Sequence, residues 1–211
     1  MIYYNKNVTS KMWRNNEYVE PIRNQQKIYA IKQYILGDKY NPVYRERDYL
    51  LFVFGINSAL RISDLLSLKV KDVLNAQGEI RDYFKIRTSK TKRELKILTN
   101  DSVNKALEKC FTKERLLDPE DYLFKTQTVQ RLDRIRAWTL IKKWIKAVGL
   151  DPANYGTHTL RKTWGYHSRK NFGILIELIS EKLGHSSNAV TKRYIDISQE
   201  EINNIEKKVC L

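Results

Sequence analysis

The sequence predicts an α+β fold that is mainly helical and contains one small antiparallel β-sheet. Most of the chain carries apolar residues at the three- and four-residue spacing of amphipathic helices. Only the stretch 79–98, EIRDYFKIRTSKTKRELKIL, alternates charged with apolar or aromatic residues on both sides of a basic segment. That alternation predicts a β-hairpin with a basic turn. A length of 211 residues is enough for one substantial core, so we expect a single main domain.

Three helices are predicted before the hairpin. The first covers residues 25–36 and stops at Gly37. The second follows Pro42 and is expected to carry the apolar side chains of 49–56 into the core. The third begins within 58–63 and continues through DLLSL.

Helices resume after the hairpin. Thr99 or Asn100 can cap the segment DSVNKALEKCF. The basic stretch 129–148 is predicted to form one long amphipathic helix closed by Gly149. Three shorter helices are predicted near the end of the chain, in HTLRKTWGYHSRKN, ILIELISEKL and SNAVTKRYI.

The composition favours a polyanionic partner. Lys and Arg number 39 against 24 Asp and Glu, which gives a net charge of +15. Nucleic acid is the commonest such partner, although basic charge can also serve solubility or a membrane surface. Cys110 and Cys210 form no C-x-x-C pattern, so neither a disulfide framework nor a zinc site is expected.

The terminal segments and the longest apolar run bear on location and boundaries. Residues 1–20 are polar and aperiodic, which predicts a flexible N-terminal arm before an ordered domain at 21–211. The N-terminus lacks the apolar stretch of a signal peptide, and the longest apolar run, YLLFVFGI, is too short to span a bilayer. We therefore expect a cytoplasmic protein with no membrane contact.

Two short patterns near the middle of the chain combine residue types that bind phosphate. ALRISDLLSL places Arg61 at a helix start with Asp64 three residues on, a spacing that also suits a surface ion pair. The predicted hairpin turn contains Lys90 and Lys92, and exposed turns are commonly rich in lysine. Neither pattern is specific on its own.

Two further patterns lie towards the C-terminus. THTLRKTW puts His158 and Arg161 on one face near a helix N-terminus, where backbone N–H groups favour an anion. LGHSS places His185 directly after a helix-ending glycine, where a simple C-cap turn is the structural alternative. Tyr194 follows within TKRYI, and it would otherwise be one of thirteen tyrosines in the chain.

In this order the motifs resemble those of the tyrosine recombinase (phage integrase) family. ALRISDLLSLKVKDV, HTLRKT and LGHSSNAVTKRY are similar to the three characteristic blocks of that family, and the resemblance extends from about Gln25 to the C-terminus. It implies the tyrosine recombinase catalytic-domain fold and site-specific DNA recombination or integration through a covalent 3′-phosphotyrosyl intermediate. It implies no metal and no other cofactor.

The resemblance assigns catalysis to six side chains, namely Arg61, Lys90, His158, Arg161, His185 and Tyr194. The two arginines would bind phosphate oxygens, and the tyrosine would attack phosphorus. His158 would accept the phenol proton or orient the phosphate, and Lys90 would protonate the leaving 5′-oxygen, with Lys92 as its competitor. His185 would donate a hydrogen bond to a non-bridging oxygen.

Other residues are expected to support this site. Asp64 would brace it without touching DNA, and His167 matches no motif position, which favours a structural or exposed helix histidine. Double-stranded DNA would be bound through basic side chains on the hairpin and the basic helix, namely Lys90, Lys92, Arg93, Arg131, Arg134, Lys142 and Lys143.

The resemblance also predicts an assembly. Relatives place four subunits on two duplexes, so we expect a homotetramer on DNA and a monomer when the protein is free. In the tail 195–211, Ile202, Ile205 and Val209 share one potential helical face, which either packs on a neighbouring protomer or closes the chain's own core. Only 60 residues precede Arg61, so no separate N-terminal core-binding domain is expected.

Three other functions stay open at the level of the sequence. A type IB topoisomerase would share the tyrosine chemistry without exchanging strands. A DNA-binding protein could keep the fold without turnover. A metal-dependent nuclease would need clustered carboxylates, which the motifs lack.

Overall fold

The computed structural model describes residues 19–90, 92–111 and 118–195. Within these ranges, the chain forms helices and one two-stranded antiparallel sheet. The helices are α1 (Gln25–Leu36), α2 (Arg45–Ser58), α3 (Ile62–Leu66), α4 (Val70–Val73), α5 (Asp101–Cys110), α6 (Arg134–Ala147), α7 (Thr157–Lys170), α8 (Ile176–Leu183) and α9 (Asn188–Tyr194), and the strands are β1 (Tyr83–Arg87) and β2 (Glu94–Leu98). The predicted fold class is confirmed.

Helix α2 lies at the centre of the core. All residues from Leu50 to Gly55 are buried, because α2 packs against α1, α5 and α7. Trp144 of α6 meets Phe52 edge-on at 5.7 Å between ring centroids. Phe84 of β1 meets Phe54 in the same way at 6.1 Å. The helical core and the hairpin therefore share one set of contacts.

A buried carboxylate stabilises the same region. Asp48 accepts hydrogen bonds from the Tyr40 hydroxyl at 2.6 Å and from Nη2 and Nε of Arg47 at 2.6 and 2.9 Å. Trp144 Nε1 donates to the Tyr40 hydroxyl at 3.0 Å. Burial raises the pKa of Asp48, and the Arg47 guanidinium opposes that rise. The negative charge is thus tolerated inside the core because it is hydrogen-bonded and paired.

The predicted hairpin is present, and its turn is well defined at both ends. Phe84 and Ile97 face each other across the ladder and are buried, whereas most neighbouring strand residues are exposed, as the alternating sequence requires. The Thr88 N–H donates to the Arg93 carbonyl at 2.9 Å, and the Lys92 N–H donates back to the Thr88 carbonyl at 3.0 Å. Lys92 adopts a positive φ of 56° to close this turn.

The long basic helix begins later than the sequence pattern predicts. Helix α6 starts after Asp133, whose side chain accepts the N–H of Arg136 at 2.7 Å and so acts as the N-cap. Before it, Val129 has a φ of 61° and the Leu132 N–H donates to the Phe124 carbonyl at 2.8 Å. The prediction of a helix from residue 129 was wrong because apolar spacing continues through a segment that folds back on residues 124–126 as a local turn.

A second, smaller core cluster holds the C-terminal helices. It contains the buried side chains of Ala59, Ile179, Leu183 and Ile195. A Cβ atom placed on Gly165 of α7 would lie 2.6 Å from Cγ2 of Ile195. Glycine is therefore required for this close approach of α7 to the residue that follows α9.

Residues 1–18 and 196–211 lie outside the described residues, so the expected arm and the expected role of the tail stay predictions. Val19 is buried, and the Glu20 N–H donates to the Asn154 carbonyl at 2.7 Å. The last two positions of the expected arm thus pack against the domain. Among the described helices, none has both the length and the apolar content to cross a bilayer.

The contact between α2 and α7 yields a test of packing. A Cβ atom on Gly55 would lie 2.5 Å from Cδ1 and 3.0 Å from Cβ of Leu160, so Gly55→Ala must push the two helices apart. We expect the free energy of unfolding, measured by urea denaturation, to fall by about 1–3 kcal/mol.

Gly37→Ala is the matched control, because its added Cβ would meet only backbone oxygens at 3.3 and 3.5 Å. Its stability should be unchanged or raised by up to about 1 kcal/mol. Equal stability of Gly55→Ala and the wild type would show that the α2–α7 contact is not tight.

Candidate active site

Arg61 and Asp64 are positioned by the turn between α2 and α3. Ala59 ends α2 in the left-handed conformation with a φ of 61°, and Arg61 then takes an extended conformation as the N-cap residue of α3. The Asp64 side chain is 3% exposed, and its Oδ1 accepts the backbone N–H of Ser89 at 2.8 Å. The carboxylate therefore holds the start of the hairpin turn, one residue before Lys90.

Helix α7 brings the next pair to the same place. His158 and Arg161 lie one turn apart near its N-terminus, where the Gly156 N–H donates to the Thr159 hydroxyl at 2.9 Å. A cavity of about 210 Å³ opens between α3, the hairpin turn, α6 and α7. It is lined by Arg61, Ile62, Ser63, Lys90, Arg134, Thr157, His158 and Arg161. Four of the six predicted catalytic residues thus share one cavity.

Arg161 is the most deeply buried cation in this group, with 5% exposure. Its Nη2 donates to the carbonyl of Leu183, the last residue of α8. Burial lowers the pKa of Arg161 to about 10, with help from the Arg61 charge and against the effects of Tyr194 and Asp64. The guanidinium is therefore still charged at neutral pH, and it connects α7 to α8.

His158 is held in its neutral form. Burial lowers its pKa to about 4, and the positive charges of Arg134, Arg161, Lys162 and Arg61 act in the same direction. Its Nδ1 is buried and has no hydrogen-bond partner among the residues that the structure describes. A neutral imidazole with a free ring nitrogen can accept a proton from a nearby group.

His185 follows the glycine that ends α8. Gly184 has a φ of 62°, and the His185 N–H donates to the Ser180 carbonyl at 3.1 Å, which completes the predicted C-cap turn. The ring Nδ1 lies 3.0 Å from the Thr191 hydroxyl oxygen. Burial lowers the pKa of His185 to about 4, and the charges of Arg161 and Arg61 add to this effect.

Tyr194 ends α9 beside His185, with 4.8 Å between the ring centroids. Its hydroxyl is buried and unpaired within the described part of the chain. Burial raises the pKa of the phenol to about 12, while Arg161 and Arg61 oppose that rise. The same two arginines therefore line the cavity and act on the phenol.

The residues predicted to bind DNA from the hairpin differ in position. Lys90 is exposed at the cavity. Lys92 supplies the positive φ of the turn, and its carbonyl accepts a hydrogen bond from Nε of Arg87 at 3.2 Å. Arg93 lies 3.9 Å from a carboxylate oxygen of Glu181.

The predicted DNA contacts of the basic helix also separate. Arg134 lines the cavity, and the Arg131 guanidinium lies 5.9 Å from the Tyr122 ring. Lys142 donates to the Pro152 carbonyl, and Lys143 lies over the Tyr40 ring at 4.5 Å. The structure thus brings Arg134 to the cavity that contains four of the predicted catalytic residues. Lys142 and Lys143 instead contact Pro152 and Tyr40 of the same chain.

His167 has a structural environment. Its Nε2 lies 2.9 Å from the Ile22 carbonyl oxygen, which can only accept, so this nitrogen carries the proton. Its Nδ1 then accepts a hydrogen bond from the Asn171 amide at 2.9 Å.

Three features of the site escaped the sequence analysis. Lys162 is buried over the Tyr194 ring, Thr191 contacts the His185 ring, and Arg134 was predicted only as a DNA contact. Helical spacing could have indicated two of these side chains. Lys162 lies four residues after His158, and Thr191 lies three residues before Tyr194, so each shares a helix face with a predicted site residue. The effect of Glu20 and Arg23 on Lys162 comes from a distant part of the chain, which no local pattern predicts.

The described residues contain no group of three or more His, Cys, Asp or Glu side chains placed to hold a metal ion.

Comparison with known proteins identifies relatives of this chain. The model of the "Phage integrase family" matches residues 25–201. "Probable integrase/recombinase YoeC" of Bacillus subtilis (strain 168) is 42% identical over 183 residues, which cover 86% of this chain and 92% of YoeC. "Tyrosine recombinase XerA" of Pyrococcus horikoshii is 29% identical over 168 residues, 78% of this chain and 55% of that protein. Relative to XerA, the chain thus spans about half the length.

Solved structures share the fold at low sequence identity. The crystal structure of XerA recombinase superimposes with a TM-score of 0.68 at 20% identity, covering 90% of this chain and 63% of that one. XerH, a site-specific recombinase bound to its palindromic difH substrate in a post-cleavage complex, gives a TM-score of 0.69 at 19% identity, covering 87% and 51%. With the match of the family model to most of the chain, these findings show that the protein belongs to the phage integrase family of tyrosine recombinases.

Proposed function

We propose that this domain cleaves and rejoins DNA strands in site-specific recombination, through a covalent link between Tyr194 and a DNA 3′-phosphate. The observation that carries the proposal is the position of Arg61 and Arg161, whose charges act on the cavity and on the Tyr194 phenol at once. The family relationship and the name of the integrase/recombinase YoeC support the same activity.

The cavity suits one phosphodiester. Its charged lining consists of Arg61, Lys90, Arg134 and Arg161, with no carboxylate among the lining residues. Guanidinium groups bind phosphate oxygens through two parallel hydrogen bonds and stay charged at any pH of interest. An anion in this cavity would relieve the mutual repulsion of four cations.

The reaction is a transesterification. The Tyr194 oxygen attacks phosphorus, the bond from phosphorus to the 5′-oxygen breaks, and the phosphate becomes linked to the phenol. The phenol proton passes to neutral His158, and Lys90 gives a proton to the leaving 5′-oxygen. Rejoining reverses each transfer, so no external energy source is required.

The phenol must be activated for this attack. With its pKa raised to about 12, ionisation at pH 7 costs about 7 kcal/mol, compared with about 4 kcal/mol for an ordinary tyrosine. Binding of the phosphate and transfer of the proton to His158 in the same step avoid a free phenolate. The two arginines stabilise the negative charge as it develops on the phosphate.

His185 can supply one further hydrogen bond. Because its pKa is about 4, the ring is neutral at pH 7 and has a single N–H group. The single proton of the Thr191 hydroxyl can go to the Ser187 carbonyl at 3.3 Å or to His185 Nδ1 at 3.0 Å. In this proposal it is donated to the nearer Nδ1, so the ring proton lies on Nε2, which can donate to a non-bridging phosphate oxygen. We therefore assign Thr191 the role of fixing the imidazole tautomer, and Asp64 the role of holding the hairpin turn that carries Lys90.

The substrate in this proposal is double-stranded DNA, with a homotetramer on DNA and a monomer in its absence. Two functions compete with it. A type IB topoisomerase would relax supercoils without forming recombinant products, and a DNA-binding protein of the same fold would form no adduct.

Tyr194→Phe tests the nucleophile. We expect it to abolish relaxation of supercoiled plasmid in EDTA and to remove the covalent protein–DNA band trapped by denaturant. The melting temperature should not fall, because the hydroxyl that is removed has no partner among the described residues.

Tyr166→Phe, which alters a half-buried tyrosine of α7, is the control and should keep both activities. Relaxation that persists in Tyr194→Phe would exclude the mechanism. Products joined between two DNA sites would distinguish recombination from topoisomerase activity, and loss of cleavage in EDTA would indicate a metal-dependent nuclease.

Arg134→Gln tests the electrostatics around His158. The variant removes the positive charge that, after burial, lowers the pKa of His158 most. The pKa of His158 should therefore rise from about 4 towards 6.5. The chain contains three histidines, so the imidazole proton resonances can be followed individually by NMR. His185 is the internal control, because its pKa is lowered by Arg161 and Arg61 and should move little.

The same shifts predict how stability changes with pH. Both His158 and His185 bind protons less readily when folded than when unfolded. Their contribution is therefore fully present above pH 6.5 and is lost as the pH falls towards 4. Arg134→Gln should reduce the loss, and a wild-type stability that stays constant between pH 6.5 and 4.5 would contradict the assignment.

DNA binding should depend strongly on salt. If about six to ten phosphates are contacted, the logarithm of the affinity should fall with the logarithm of salt concentration with a slope of about −5 to −9. Arg134→Gln should make this slope shallower by about one unit. Lys69→Gln, at a lysine paired with Glu120, is the control and should leave it unchanged.

A further inference from the structure

Lys162 is a buried lysine that has no role in the mechanism described above. It directly follows Arg161 on α7, and its side chain is 5% exposed. Its Nζ lies 5.1 Å from the centroid of the Tyr194 ring. A lysine is seldom buried to this extent unless its charge interacts with a partner.

The N-terminal strap, residues 19–23, lies close enough to this lysine for the charges of Arg23 and Glu20 to affect its pKa. The Ile22 N–H donates to the Thr163 hydroxyl at 2.8 Å, and the Ile22 carbonyl accepts from His167 at 2.9 Å. Both backbone groups of Ile22, the N–H and the carbonyl, thus attach the strap to α7. Its Glu20 and Arg23 form an ion pair at 2.8 Å.

The charges of the strap reach Lys162. Burial lowers the pKa of Lys162, Arg23 lowers it further, and Glu20 raises it. Glu20 therefore helps to keep the ammonium charged in a place where burial disfavours the charge. Lys162 thus responds to the charges of the strap and lies over the ring of the proposed nucleophile.

We propose that Lys162 is a positioning residue for Tyr194, and that its ammonium holds the phenol ring by its face and stabilises the phenolate that forms during attack. A cation is attracted to the face of a neutral aromatic ring, and more strongly to a ring that carries negative charge. The interaction therefore strengthens as the proton leaves. This inference rests on the proposed role of Tyr194 as the nucleophile.

Three other groups face the phenol. Arg161 and Arg61 approach from α7 and from the start of α3, and both lower the pKa of Tyr194. His185 packs against the ring edge and is neutral at pH 7. The two arginines must also bind the phosphate, whereas Lys162 lies over the ring and does not line the cavity. It therefore stays beside the phenol ring when the arginines bind the phosphate.

Two substitutions separate charge from packing. Lys162→Met keeps an unbranched apolar side chain but removes the charge, and Lys162→Arg keeps the charge. If the charge acts on Tyr194, Lys162→Arg should restore what Lys162→Met loses. If only packing matters, the smaller change in shape, Lys162→Met, should be tolerated better than Lys162→Arg.

The first measurement is the rate of covalent adduct formation on supercoiled plasmid in EDTA between pH 6.5 and 9.5. We expect Lys162→Met to be about tenfold slower than the wild type at pH 7.5, with a smaller deficit as the pH rises. Lys162→Arg should stay within about threefold of the wild type. Lys69→Met is the control, because Lys69 lies over a different tyrosine, Tyr122, at 5.9 Å.

The second measurement requires no activity. A fluorinated tyrosine that ionises near neutral pH is placed at position 194, and its ionisation is followed by fluorine NMR in the free protein. Lys162→Met should raise the midpoint of this titration by about one pH unit, and Lys162→Arg should restore it. Lys69→Met should leave the midpoint unchanged.

The outcomes of the two measurements distinguish an error in the role of Lys162 from an error in the proposed function. An unchanged midpoint in Lys162→Met would overturn the role of Lys162 even if Tyr194 proves to be the nucleophile. A rate deficit that is equal at every pH, and that Lys162→Arg does not relieve, would also overturn it in favour of packing. If no variant and no wild type forms an adduct, the proposed function fails, while the titration still decides whether Lys162 acts on the phenol.

Discussion

The hydrogen bond from buried Arg161 to the Leu183 carbonyl is the contact on which the site depends. It joins α7, which carries His158, to the end of α8. A buried guanidinium has a high desolvation cost unless its N–H groups are hydrogen-bonded. The carbonyl meets part of this need and leaves the rest of the group for an anion. It also fixes the point where the chain turns at Gly184 towards His185 and Tyr194.

Burial and repulsion between like charges together explain the low pKa values around Arg161. Burial is the larger cause, and nearby positive groups add to it, so the pKa values of His158 and His185 fall to about 4. Asp64 is buried nearby, but its Oδ1 is engaged by the hairpin backbone. The site therefore contains more positive than negative charge until a phosphate enters. The attraction for a phosphate and the neutral state of the two imidazoles consequently depend in part on the same positive charges.

The sequence predicts those parts of the structure that local patterns determine. The hairpin follows from strict alternation, and the helices that carry His158, Arg161 and Tyr194 follow from apolar spacing and caps. The start of α6 was misplaced because the segment before it folds back on residues 124–126 as a local turn. Such a turn delays the helix without interrupting the apolar spacing on which the prediction rests.

The site shows the same division between local and distant information. The motif order predicts which side chains are brought to the cavity, but it does not predict that Lys162 is buried. Glu20 and Arg23 act on Lys162 from a strap that lies about 140 positions earlier in the chain and binds Thr163 through Ile22. Arg134 enters the cavity as the first residue of α6, directly after the capping Asp133. Contacts between distant segments therefore complete a site that local motifs only outline.

The close approach of Gly165 to Ile195 has a consequence for the movement of DNA. Ile195 is fully buried and is bonded directly to Tyr194 along the chain, so the backbone after the tyrosine is anchored to α7. In the proposed reaction, a 3′ strand end linked to Tyr194 would be held in one position by this side chain. The 5′-hydroxyl end has no such covalent link, so it is the end that could move to another duplex.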